Sequence, residues 1–138
     1  MTQTAWADLP NAKHIDRLLA DLEKNPDKWS AAWSAERYAA WSTERYAAWD
    51  AARDAAWYAS WYAARTDARN AARDAAWSAA RNAAWYAAWY AILVLIACDD
   101  CAYLLDEKPE HVQMLALLGN QAALLLYPAC VAMQKEMA

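Results

Sequence analysis

Residues 29–92 read WSAA WSAE RYAA WSTE RYAA WDAA RDAA WYAS WYAA RTDA RNAA RDAA WSAA RNAA WYAA WYAI, sixteen consecutive units of four. The first position is Trp at 29, 33, 41, 49, 57, 61, 77, 85 and 89, and Arg at 37, 45, 53, 65, 69, 73 and 81; no other residue occupies it. The second is Ser, Tyr, Asp, Asn or Thr, and the last two are nearly always Ala. A multiple of two would also suit a strand. Ala, however, is the strongest helix former and is depleted in strands, and the stretch lacks the Gly and Pro needed to turn corners. The repeat is helical.

A period of four is incommensurate with the helix. Each unit advances the first position by about 400°, a drift of ~40°, so one straight helix would be ~96 Å long and show Trp on every side. The chain therefore must bend into shorter helices or associate; a right-handed supercoil of this period would be very tight. Breaks are expected where the units are least regular, first at Thr66-Asp67 and second at residues 41–44, where capping or β-branched residues interrupt the Ala pairs.

Outward from the repeat, Ile15, Leu18, Leu19 and Leu22 lie at helical spacing, with Asn11 as the expected cap. This helix should end near Lys24. Asn25-Pro26-Asp27 then opens the next, with proline at its first position and an acid in its first turn. Trp6 and Leu9 are expected to pack on the body. Beyond the repeat, the helix is expected to run on through Cys98-Asp99-Asp100-Cys101 to about Asp106. Another should follow from Pro109 to Leu118, Gly119-Asn120 closing it, and a last from Gln121 towards Glu136, kinked or restarted at Pro128. The fold class is all-α: a single domain over residues 1–138, a compact bundle with an N-terminal helix (1–28), repeat helices (29–92) and Leu-rich C-terminal helices (93–138).

The net charge of −4 divides into about −1, +1 and −4 over these three segments, which disfavours bulk nucleic-acid binding driven by counterion release. Three cysteines and no secretory pattern point to the cytoplasm. The apolar run from Ala83 to Cys98 is too short to span a bilayer, so no membrane role is assigned. Ser-His-Asp patterns, phosphate-cradling Gly loops and paired acid and base at useful spacing are missing, which argues against an enzyme, and no cofactor is implied. Cys98, Cys101, Cys130 and His111 form only a weak zinc set, and no metal is assigned.

Two features suggest a ligand. Arg65, Arg69 and Arg73 repel one another at i, i+4 spacing, so they need anionic partners: Asp67, Asp74, Asp99 and Asp100, or a bound phosphate or carboxylate. Trp61 and Tyr62 on one side and Trp77 on the other place rings beside them, while Asp99 and Asp100 supply acceptors for a ribose hydroxyl or a cation. The Trp-Tyr pairs at 57–58, 61–62, 85–86 and 89–90 would form a stacking pocket if their segments face each other. The alternative is that the same residues only pack helices together.

The units Trp-Ser-Ala-Ala, Arg-Asp-Ala-Ala and Arg-Asn-Ala-Ala, followed by Ala-Cys-Asp-Asp-Cys-Ala-Tyr-Leu-Leu, resemble uncharacterised Ala/Trp/Arg tetrapeptide-repeat proteins of tailed phages and gut metagenomes. The resemblance covers residues 29 to about 130. It implies a phage protein in the host cytosol, non-enzymatic, that sequesters a nucleotide-like signal of host defence or binds a host protein. Surplus Trp on the repeat further implies a homo-oligomer.

Overall fold

A computed structural model describes residues 4–40 and 43–134, and among these the chain is all-helical. Seven α-helices follow in order: α1 (Ala12–Lys24), α2 (Pro26–Ala40), α3 (Thr43–Tyr62), α4 (Thr66–Ala79), α5 (Ala83–Ala97), α6 (Pro109–Leu117) and α7 (Gln121–Met133). A short 3-10 helix, Ala102–Asp106, links α5 to α6. No described helix is long and apolar enough to cross a membrane.

The centre is α5. Residues 91–96 are buried without interruption, as expected of a helix apolar all round. It packs against α1, α2, α3, α4 and α7. In α1, Ile15, Leu18 and Leu22 are fully buried on one stripe. The corner into α2 is pinned by Trp29, fully buried, whose Nε1 donates to Asp21 Oδ1 at 2.8 Å. Leu125, Leu126, Ala129 and Cys130 bury the inner face of α7, which runs through Pro128 without stopping.

The helical drift of the repeat is visible in exposure along α3. Trp49 is 4% exposed, Trp57, two units on, 37%, and Trp61, one further, 57%. The same residue in the same slot thus turns from core to solvent within one helix, as a rotation of ~40° per unit requires.

Two breaks fall among the described residues. After α3, Ala64 N–H donates to the Trp61 carbonyl (3.0 Å) and Arg65 N–H to that of Ser60 (2.9 Å), while Ala64 takes φ of 59°. This is a Schellman closure with Ala at the left-handed position that favours Gly. The same motif ends α6, with Gly119 at φ of 97° and bonds from Gly119 to Ala116 and from Asn120 to Leu115. Thr66 accordingly starts α4. Ala64→Gly is expected to stabilise the protein by about 1 kcal/mol, since it removes a left-handed Ala; a higher urea midpoint with an unchanged slope checks it.

The second break, at residues 80–82, has no counterpart in the sequence reading; Asn82, at φ of 60°, makes it. Asn is among the few residues other than Gly that tolerate this region. Of the expected break at 41–44, residues 41 and 42 lie outside the described residues.

Two expectations need correction. Asn11 does not cap α1 with its side chain. It is buried, and its amide donates to the carbonyls of Leu95 (2.9 Å) and Cys98 (2.8 Å). Nor does α5 continue to Asp106; it stops at Ala97. The terminal carbonyls of a helix lack partners of their own. Here distant side chains supply them, Asn11 for Leu95 and Cys98 and Arg65 for Ile96 (3.0 Å), and the chain turns through Asp99 and Asp100.

Candidate functional site

Arg and Trp share one slot of the repeat, and in the fold they stack. The Arg69 guanidinium of α4 lies 3.5 Å from the centroid of the Trp57 ring on α3, Arg73 lies 5.6 Å from that of Trp89 on α5, and Arg81 lies 5.2 Å from that of Trp77. Each is within reach of a cation–π interaction. The rings continue one another. Trp57 meets Trp89 edge-on at 6.3 Å, Trp89 stacks parallel on Trp85 at 6.2 Å, and Trp85 meets Trp77 edge-on at 5.3 Å. A second run passes from Trp85 through Tyr86, Trp33 and Tyr90 to Trp49.

Where Trp57 faces Trp89, a cleft of about 370 Å³ opens, lined by Arg53, Asp54, Trp57, Tyr58, Trp89 and Leu93. That is within the range of small-molecule pockets. Arg53 carries the positive charge of its lining, near Asp50 and Asp54 at 3.5 Å each, and a hydrogen bond with Tyr90 holds it more firmly protonated than usual. Arg69 and Arg73 do not line the cleft but lie on its two indoles.

Arg69 is the most unusual group. It is 3% exposed, and its partners are neutral: Nη1 donates to Ser60 Oγ at 2.8 Å and to the Trp57 carbonyl at 3.3 Å, and Nε to Asn70 Oδ1 at 3.4 Å. Burial, and then the nearby charge of Arg73, push its pKa below the usual arginine value. Among the described residues no carboxylate forms an ion pair with it.

The eight residues singled out from the sequence occupy several places. Arg65 forms a two-pronged pair with Asp99, at 2.5 and 3.3 Å, which holds that carboxyl below the ordinary range. Asp100 is exposed beside the cysteines. Trp61 and Tyr62 pack edge-on against each other at the exposed end of α3. Trp77 is partly exposed at the end of α4, between Arg81 and Trp85. None of the eight lines the cleft; Arg69 lies over its Trp57 ring and Arg73 over its Trp89 ring. Arg53, Trp57, Tyr58 and Trp89 are not among the eight; the signal for the three rings is the Trp-Tyr pairing at 57–58 and 89–90, and the sequence carries none for Arg53.

The cysteines do not gather with His111 as the weak zinc set would require. Cys98 and Cys101 are joined in a disulfide, Cα–Cα 5.6 Å. Cys130 and His111 do not join them: Cys130 is fully buried and donates to the Glu107 carbonyl, and His111 pairs with Glu107 at 3.2 Å. Burial first, then the acids Asp106, Glu107 and Glu110, push the Cys130 thiol up to about 11. The thiolate is the reactive form. Iodoacetamide at neutral pH is therefore expected to leave Cys130 unlabelled in the folded, reduced protein and to label it after denaturation, as peptide mass spectrometry would read.

No protein-family model matches this chain, and neither a curated protein nor a solved structure matches it.

Proposed function

We propose that this chain is a non-enzymatic binding protein that takes a small, planar, anionic molecule of nucleotide-like chemistry into the cleft lined by Trp57, Tyr58 and Trp89. The observation that carries the reading is Arg69, a buried guanidinium whose partners among the described residues are neutral, stacked on an indole that lines the cleft. A buried cation without a counter-charge is costly. An anion in the cleft, flanked by Arg53 and backed by Arg69 and Arg73, offsets that cost, and Trp57 and Tyr58, the more exposed rings of the lining, offer faces for a base. The resemblance to phage repeat proteins extends this reading to sequestration of a host defence signal in the cytosol.

Calorimetric titration with AMP, a cyclic dinucleotide and inorganic phosphate tests it. A nucleotide should bind saturably and phosphate alone far more weakly. Trp57→Ala should cost about 1–3 kcal/mol of affinity, the contribution of one stacked base. If no nucleotide binds, and none is released from the purified protein on denaturation, the reading fails.

One observation favours a second reading, in which the Trp/Arg slot is a packing lattice and the outer rings bind protein, either a second copy or a host partner. Tyr58, Trp61 and Tyr62 are 58, 57 and 78% exposed on a single helix end. Sedimentation should then show a dimer that Trp61→Ser with Tyr62→Ser dissociates. Arg→Lys changes do not separate the two readings, because at Arg69 Lys keeps the buried charge and loses the planar stack on Trp57 in both.

A further inference from the structure

We propose that Cys98, Asp100 and Cys101 form a redox-gated site for a thiophilic divalent cation of the zinc or cadmium kind. The two sulfurs and a carboxylate oxygen of Asp100 all lie within 4.8 Å of one another, and Asp100 Oδ1 is 3.4 Å from the Cys98 sulfur. Both cysteines are half-buried and Asp100 is exposed, so an ion has access and water can fill a fourth position. A groove of about 180 Å³, lined by residues of α3, α5 and α7 that include Ala52, Ala59, Ala97 and Ala122, reaches Cys98.

The turn is held from outside the disulfide. Asn11 binds the carbonyls of Leu95 and Cys98, and Arg65 binds the Ile96 carbonyl and Asp99. Opening the S–S bond therefore leaves Cys98 anchored at the end of α5, with Cys101 at the start of the short 3-10 helix three residues on. The setting is unsuited to a thiol–disulfide catalyst, whose reactive thiol is lowered by a helix N-terminus or a cation. Cys98 instead follows a helix C-terminus, the negative end of its dipole, and of the two acids next in sequence Asp99 is taken up by Arg65 while Asp100 lies beside the sulfurs. That surrounding favours a cation, and two thiolates select soft metals over magnesium or calcium.

The gate balances as thiol exchange. Two molecules of a small cellular thiol give up two electrons and form their own disulfide, while the Cys98–Cys101 bond takes up those electrons and two protons. Metal binding then displaces both protons. In the oxidised chain each sulfur is bonded to the other and neither is available as a thiolate ligand. This site stands independently of the Trp57 cleft.

The test is zinc competition against a chromophoric chelator, with the full chain either reduced by a phosphine that is then removed, or left oxidised. One equivalent should bind to the reduced protein, releasing two protons, and none to the oxidised protein. Cys130→Ser should leave binding unchanged. Asp100→Asn should weaken it at least about tenfold, since loss of even an outer-shell partner costs that much. The proposal is overturned if the reduced protein takes up no zinc, or if the oxidised protein binds zinc as tightly. The oxidised wild-type chain is the negative control, so the result does not depend on a cysteine variant folding.

Discussion

Trp29→Ala should cost about 3–5 kcal/mol of stability, the range for truncating a large buried aromatic, seen as a lower urea midpoint followed by far-UV circular dichroism. The indole is fully buried at the corner of α1 and α2, and its N–H is held by Asp21. Truncation opens a cavity and strips a half-buried carboxylate of a donor. Trp61→Ala changes the same slot of the same repeat, yet Trp61 is 57% exposed and should shift stability by only about 0.5 kcal/mol. Equal losses at the two positions would mean that the repeat acts as a uniform lattice, contrary to the drift along α3.

The second large effect is at Arg69, where replacements should divide by shape and charge. Arg69→Lys is expected to destabilise by about 2–3 kcal/mol: it keeps a buried cation but loses the planar stack on Trp57 and the forked donors. Arg69→Met should be within about 1 kcal/mol of the parent, because replacing a buried charge by an apolar side chain of similar volume is often neutral or stabilising. The groups left behind are not orphaned, since Ser60 Oγ donates to the Trp57 carbonyl at 2.7 Å. Thermal unfolding of both variants checks the order. If Met proves as damaging as Lys, the stack and hydrogen bonds of the guanidinium together outweigh the cost of burying its charge. A stable Arg69→Met protein that binds nucleotide more weakly would separate ligand recognition from folding.

The all-helical class was legible because Ala dominates the repeat and because Asn25-Pro26, Pro109 and Gly119-Asn120 are local signals that act within one turn. The details that position the cleft were not local. Ala64 takes a left-handed conformation that nothing in its identity announces. Asn11 caps a helix more than eighty residues away; Asp99 was among the partners the sequence offered to the Arg ladder, but not the Ile96 carbonyl that the same Arg65 guanidinium holds. Once α3 ends at Tyr62 rather than a few residues later, Arg69 meets Trp57 and not Trp61. The Arg ladder was visible in the sequence. Which ring each rung would face depends on where the helices break, and that is settled by contacts across the bundle.

The graded exposure of Trp49, Trp57 and Trp61 also bears on how such a chain changes length. Adding or deleting one complete unit in α3 shifts everything beyond it by ~6 Å along the axis and turns it by only ~40°. A change of one residue turns it by ~100° and would carry a buried face into water. Gain and loss of whole units is thus the mildest length change this helix can undergo, and the outward-facing end of α3, where the rings have already left the core, is where a unit can come or go at least cost to the fold.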